Sequence, residues 1–161
     1  MRRGKIARWF DCARAAALGL AFAGCASLPP TANVAIPPVS TGTARAWFYR
    51  GDDPYVGLGR PYVRMNGAVV GVSEPGGAFY RDVAPGDYYV TVDSWGTDIN
   101  QFPHVVLRTG ETAYFQVLDS PYWASGGASA NWTRPTYYVR QMPPPVALPQ
   151  VAQSRFYAAA N

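Results

Sequence analysis

Between residues 43 and 141, short runs of aromatic and β-branched residues alternate with the turn-forming residues Gly, Pro, Asn and Asp. Runs of this composition and length predict β-strands. No window of about 11 residues in this range has the apolar spacing of an amphipathic helix. We therefore predict an all-β fold, a single small β-sandwich of about seven strands.

The clearest turn is Asn66-Gly67, between the strand-like runs 61–65 and 68–72. A two-residue hairpin turn of this kind needs positive φ at both positions, which Asn and Gly adopt at low cost. The other predicted strands are 45–50, 79–83, 88–93, 105–108, 112–118 and 137–140. We place the runs 45–50 and 137–140 at sheet edges. Alternation along the strands predicts a core that contains Trp47 or Phe48, Phe79, Tyr88, Val90, Val92, Ala113, Phe115 and Val117.

The N-terminal segment has the pattern of a secretory leader. Five basic residues lie within the first 14 positions, and an apolar run of ten residues then ends at Gly24. A charged start, a short apolar stretch and small residues before the cut describe a signal peptide, which we expect to be helical and then removed. A membrane-spanning helix needs about 20 apolar residues, so this run is too short to remain as an anchor.

The residues Phe22-Ala23-Gly24-Cys25 resemble the lipobox of bacterial lipoproteins. In that family the leader is cut before the cysteine, whose sulfur is diacylated and whose new amino group is acylated. The resemblance implies cleavage after Gly24, lipid on Cys25 and a lipid bilayer as partner, since several acyl chains give stable anchoring. In proteobacterial members an Asp after the cysteine resembles an inner-membrane retention signal, so Ala26 implies the outer membrane, facing the periplasm. The alternative is an ordinary signal peptide that is cut nearby, with Cys25 incidental.

Cleavage changes what the composition implies. Of 161 residues, 24 would leave, and the remaining 137 suffice for one domain. They hold nine arginines and nine acidic residues, so the positive net charge belongs to the leader and no basic footprint for nucleic acid remains. Cys12 leaves with the leader and Cys25 carries lipid, so a disulfide is excluded and the fold depends on core packing.

The composition divides the chain into four parts. After the leader, 1–24, come the lipidated cysteine and a tether, 25–42, which contains four prolines and no charge and is expected to be disordered. The β-sandwich is predicted at 43–141. A Pro-rich tail, 142–161, follows, in which 151–160 has the pattern of a short helix that is marginal alone in water.

Two stretches resemble the PEGA domain, a small β-sandwich. They are 63–71, a strand, an Asn-Gly turn and a return strand, and 84–92, a Pro-Gly turn before an alternating strand. Together with 46–50 and 110–117 they also resemble a family of small bacterial lipoproteins that carry an uncharacterised domain. The resemblance implies a PEGA-like or transthyretin-like sandwich, and it carries over no catalytic residues.

Few residues suggest chemistry. His104 is the only histidine, so a zinc site built from several His and Cys ligands is not predicted. No serine lies in a Gly-x-Ser-x-Gly turn, and most acids lie at turns or strand ends, where they bond nearby backbone. We therefore expect no catalytic residue, no metal site, no cofactor besides the lipid, and no enzymatic activity. A small periplasmic hydrolase that uses His104 stays an alternative.

The aromatic content is the remaining unusual feature. Tyr122, Trp123 and Trp132 lie in a polar, glycine-rich stretch that we expect to be a loop. They form a candidate surface for a ligand or partner, because exposed aromatic rings anchor interfaces and stack on sugars. The alternative is a loop that covers the open end of the sandwich. We expect a non-catalytic binding or scaffolding domain whose partner is an envelope protein or a glycan. If the partner is a glycan, the domain is a binding module for peptidoglycan or another polysaccharide.

Overall fold

The structure is a computed structural model that describes residues 27–52, 59–94, 103–123 and 133–158. In these residues the fold is mainly β, with nine strands, a 3-10 helix (Thr31–Asn33) and one α-helix, α1 (Pro144–Gln153). The strands are β1 (Ala44–Arg50), β2 (Tyr62–Met65), β3 (Ala68–Val72), β4 (Gly77–Val83), β5 (Gly86–Val92), β6 (His104–Leu107), β7 (Thr112–Trp123), β8 (Thr133–Met142) and β9 (Arg155–Phe156).

The strands form two open sheets around a shared core. One sheet has five strands in the order β8-β7-β1-β4-β9, and the other has four in the order β3-β2-β5-β6. Phe48 lies between the rings of Phe79 and Phe115, at centroid distances of 5.1 and 5.4 Å. Val63 and Val90 of the smaller sheet belong to the same buried cluster. This arrangement is consistent with a β-sandwich, with nine described strands rather than about seven.

Strand β1 corrects the prediction that 45–50 lies at a sheet edge. It is central, antiparallel to β4 and parallel to β7, and all seven of its residues are buried. Trp47 and Phe48 are therefore both buried, on opposite faces. Alternation within a strand predicts its faces but not its neighbours, and the parallel partner of β1 begins only at Thr112.

The predicted hairpin at Asn66-Gly67 is confirmed. Asn66 has a φ of 48° and Gly67 a φ of 82°, and the turn joins β2 to β3. The predicted face of β5 is also confirmed: Val90 is fully buried, and Tyr88 and Val92 pack against the core cluster. The local turn chemistry and the period-two alternation were sufficient for these elements.

The C-terminal segment packs on the domain. Helix α1 covers the outer face of the five-stranded sheet, where Ala147 and Val151 join a second buried cluster with Trp47, Tyr49, Ala78 and Tyr114. The helix spans Pro144–Gln153 and not the predicted 151–160, because proline is well tolerated in the first turn, where no N–H bond is needed. Strand β9 then pairs in parallel with β4, so residues 155 and 156 of the predicted helix form a strand instead.

The described part of the expected tether is also docked. The Phe156 N–H donates to the Pro29 carbonyl at 3.0 Å, and the Thr31 N–H donates to Ser154 at 2.7 Å. Further on, Arg45 Nη1 donates to the Pro37 carbonyl at 2.6 Å. Proline lacks a donor but keeps its acceptor, so a Pro-rich, uncharged segment can still be fixed through its carbonyls. The expectation of a disordered tether is wrong for these residues.

Candidate functional site

The outer face of the four-stranded sheet carries exposed apolar side chains. Residues that point away from the core alternate with the buried ones along each strand. Four of them are about half exposed: Tyr62 at 50 %, Val69 at 48 %, Tyr89 at 57 % and Val106 at 50 %. We call this surface, with the polar side chains between them, the open face.

Paired polar groups separate the apolar residues of the open face. Arg64 Nε donates to Asp93 Oδ1 at 2.7 Å, and this hydrogen bond raises the pKa of Arg64. The ring of Tyr89 packs on His104 at a centroid distance of 4.7 Å. The open face therefore combines aromatic rings, aliphatic side chains and an arginine paired with an aspartate. This composition is typical of recognition surfaces rather than of a hydrophobic core.

The contacts of His104 do not form a nucleophile–base pair. Its Nε2 lies 3.3 Å from Asp87 Oδ1, and both side chains are largely exposed. Four of the described serines are engaged elsewhere or buried: Ser94 accepts from the Tyr137 N–H, Ser154 donates to Gln150, Ser40 contacts Asp82, and Ser73 is buried. A carboxylate orients His104, but no serine described by the structure is placed for it to activate.

A polar cleft of about 370 Å³ lies between the end of β1 and the end of α1. It is lined by Tyr49, Arg50, Gly51, Asp52, Gly76, Gln150, Gln153, Ser154 and Arg155. Arg155 Nη2 donates to the Pro75 carbonyl at 2.6 Å and to Asp52 at 3.3 Å. The Tyr49 hydroxyl is buried without a hydrogen-bond partner among the described residues, and burial raises its pKa. The cleft offers hydrogen bonds to a small polar molecule but no oriented nucleophile.

Two buried arginines, which the sequence patterns did not single out, are structural. Arg45 bonds Asp82 through Nε at 2.6 Å, and this hydrogen bond raises the pKa of Arg45 and lowers that of Asp82. Arg50 Nη2 lies 2.5 Å from Asp119 Oδ2 and donates through Nη1 to the Gly59 carbonyl. Each guanidinium ties strands of the five-stranded sheet to a neighbouring segment. The partners in these two ion pairs are 37 and 69 positions apart, so no local sequence pattern predicts either pair.

The predicted site residues are only partly described. Gly24, Cys25 and Trp132 lie outside the described residues. Tyr122 and Trp123 end strand β7, where they pair with Arg134 and Thr133 of β8, and so are not in a loop as expected. Strand β7 continues past the predicted end at residue 118, and its Pro121 lies opposite Pro135 of β8, so neither proline faces a partner N–H that it would leave unpaired.

The described residues contain no group of three or more His, Cys, Asp or Glu side chains placed to hold a metal ion. Within the same ranges, no helix is both long and apolar enough to cross a bilayer. No protein-family model, curated protein or solved structure gives a significant match to this chain. Its function is therefore argued from its own residues.

Proposed function

We propose that this chain is an envelope lipoprotein whose acylated Cys25 anchors a non-catalytic binding domain to the outer membrane, facing the periplasm. The domain is a sandwich of the PEGA-like or transthyretin-like kind, in line with the family that 63–71 and 84–92 resemble. Its partner is an envelope protein, and its binding surface is the open face. The lipid is its only covalent addition, and His104 has no catalytic role.

The difference between the two outer faces carries this proposal. The five-stranded sheet buries Trp47, Tyr49 and Tyr114 beneath α1. The four-stranded sheet leaves Tyr62 and Tyr89 half exposed. Because a sheet face that serves only stability is covered or polar, an aromatic face left open supports a role in recognition.

The composition of the open face favours a protein partner. Tyrosine and arginine are enriched among the residues that dominate binding energy at protein interfaces. Arg64 is already held in a hydrogen-bonded pair with Asp93, so fewer degrees of freedom are lost when a partner covers it. The aliphatic Val69 and Val106 provide the apolar area beside it.

Site-specific photocrosslinking in intact cells tests this proposal. A photoreactive residue at Val106 is expected to trap a defined envelope protein, and Tyr62→Ser with Tyr89→Ser is expected to abolish the adduct. The control carries the photoreactive residue at Arg140, an exposed position on β8. Adducts of equal yield from both positions, or an adduct that is insensitive to the two tyrosine substitutions, would contradict the open face as the binding surface.

A glycan is the second candidate ligand, since flat rings beside hydrogen-bonding side chains suit stacking on sugars. Tyr62 and Tyr89 meet this requirement on the open face. Co-sedimentation with isolated peptidoglycan sacculi tests it. Saturable pelleting that is lost with Tyr62→Ala and Tyr89→Ala supports a glycan on the open face. Loss only with Trp123→Ala and Trp132→Ala assigns the glycan to these two tryptophans instead, and no pelleting excludes peptidoglycan as the ligand.

A further inference from the structure

The two terminal segments form one surface without charge. Residues 27–44 and 141–154 contain no Asp, Glu, Lys, Arg or His. The 3-10 helix of the first segment packs against α1 of the second, and the Thr31 side chain bonds Ser154. Every described ionisable side chain of the domain lies outside these segments. We call their exposed part the uncharged surface.

Apolar side chains stand out from the uncharged surface. Helix α1 packs on the sheet through Ala147 and Val151, and the residues on either side of Ala147 stay exposed. Leu148 is 51 % exposed and Val146 is 42 % exposed, and Leu28 in the first segment is 42 % exposed. Exposed prolines accompany them at positions 29, 30, 37, 38, 143, 144, 145 and 149. Leaving such a surface in water is unfavourable, because apolar area is more stable out of contact with water.

The distance to the lipid attachment residue limits where this surface can be. Pro29 is fixed to Phe156 and Thr31 to Ser154 by backbone hydrogen bonds. Only four residue steps separate Cys25 from Pro29. Even fully extended, they span at most about 14 Å. A lipidated Cys25 lies at the bilayer surface, so the end of the domain that holds Pro29 lies within about 14 Å of it, little more than the ~10 Å diameter of a helix.

We propose that the uncharged surface lies against the lipid bilayer, with Leu28, Val146 and Leu148 in the boundary between headgroups and acyl chains. This inference rests on the acylation of Cys25 that the proposed function includes. Apolar groups at this boundary sit about 5–10 Å deep. Because the surface has no basic residue, its contact comes from apolar burial and is insensitive to ionic strength.

This orientation separates the membrane side from the partner side. Helix α1 covers the outer face of one sheet, and the open face is the outer face of the other. If α1 lies on the bilayer, both sheets separate Tyr62 and Tyr89 from the bilayer, and these two side chains point away from the membrane. The open face is then accessible to a partner in the periplasm while the domain stays at the membrane.

Lipid-depth quenching tests the inference on the lipidated full-length protein in phospholipid vesicles. Cys12 leaves with the leader and Cys25 is acylated, so an introduced cysteine is the only free thiol. A fluorophore is attached at Leu148→Cys and Val146→Cys. Val69→Cys and Val106→Cys on the open face serve as controls, since their wild-type side chains are similarly exposed. Lipids with a quencher just below the headgroup are expected to reduce the emission at 148 and 146, because interfacial apolar groups lie at that depth. Emission at 69 and 106 is expected to stay unchanged.

Each other outcome overturns the inference in a distinct way. If intact mass shows acylated Cys25 but positions 146 and 148 respond only to an aqueous quencher, the uncharged surface faces water. The lipid on Cys25 is then the only contact with the membrane that the data support, and the inference is wrong. If neither quencher reaches these positions, a protein or a second copy of the chain covers the surface. If the mass shows no acyl chains, the proposed anchor fails and this inference fails with it. Circular dichroism of each labelled variant confirms that the fold is retained.

Discussion

Thr31 donates twice to the carbonyl oxygen of Ser154, from its backbone N–H at 2.7 Å and from its hydroxyl at 2.9 Å. The two residues are 123 positions apart, and both are buried. Their contact closes the N-terminal segment onto the end of α1. The described part of this N-terminal segment is thereby part of the domain and not a spacer.

Thr31→Val keeps the shape of the side chain and removes one of these two hydrogen bonds. We expect the free energy of unfolding to fall by about 1 kcal/mol, the net contribution of a typical hydrogen bond. Urea denaturation measures this change. Thr43→Val is the matched control, because the Thr43 hydroxyl makes the same type of bond, to Ser40, at an exposed position. An equal fall in the free energy of unfolding in both variants would show that the buried Thr31 bond contributes no more to stability than the exposed Thr43 bond.

Asp82→Asn removes the countercharge of Arg45, whose side chain is only 5 % exposed. We expect a loss of about 3 kcal/mol at neutral pH, because the arginine keeps its bonds to the Pro37 and Pro38 carbonyls but is left buried without a countercharge. Urea denaturation at pH 7 measures it. Asp93→Asn, in the more exposed pair with Arg64, is the control and should change stability little.

The same pair predicts a dependence on pH. The hydrogen bond from Arg45 lowers the pKa of Asp82 below its ordinary value of 3.8. The pair therefore stabilises the fold fully above about pH 4, and this contribution is lost as the pH falls through the lowered pKa of Asp82. Asp82→Asn should lose less stability than wild type between pH 4 and pH 2. Parallel acid titrations of the two proteins would contradict this assignment.

Local patterns in the sequence predicted the parts of the fold that local physics determines. The Asn66-Gly67 turn and the buried face of β5 follow from φ preferences and strand alternation. The central position of β1 and the docking of Pro29 depend on contacts with residues far along the chain. No periodicity within a segment carries that information, so strand alternation predicts an edge position for β1 and composition predicts a tether around Pro29, and both predictions are wrong.

Gly71→Ala tests the close packing of the core. A Cβ at this position would lie 2.5 Å from Cζ of Phe79, whose ring stacks on Phe48. We expect a loss of about 2 kcal/mol from overpacking, measured by thermal or urea denaturation. Gly51→Ala is the control, since a Cβ there meets nothing within 4 Å. A Gly71→Ala protein as stable as the control would mean that Phe79 relaxes freely.

Tyr49→Phe tests the buried hydroxyl beside the polar cleft. This hydroxyl has no hydrogen-bond partner among the described residues, so its removal should raise stability by about 1 kcal/mol. In wild type, burial raises the pKa of Tyr49 above 10.0, so Tyr49 makes the fold less stable as the pH rises through that pKa. Tyr49→Phe should not show this loss of stability. Tyr88→Phe is the control and should be destabilised, because the Tyr88 hydroxyl donates to Ala84 at 2.7 Å. Destabilisation of Tyr49→Phe would reveal a partner for its hydroxyl.

The candidate surfaces were less predictable than the strands. Tyr122 and Trp123 drew attention because their neighbours are polar and small, yet their backbone belongs to strand β7. Tyr62 and Tyr89 look like ordinary strand residues in the sequence. Only the arrangement of the two sheets, with α1 over one outer face, identifies the other face as open.

The most direct test of the lipid anchor is the intact mass of the mature chain extracted from membranes, compared between Cys25→Ser and the control Cys12→Ser. We expect wild type and Cys12→Ser to begin at residue 25 and carry acyl chains, and Cys25→Ser to carry none and leave the membrane fraction. A wild-type chain that begins elsewhere, or that begins at Cys25 without acyl chains, would contradict acylation at Cys25.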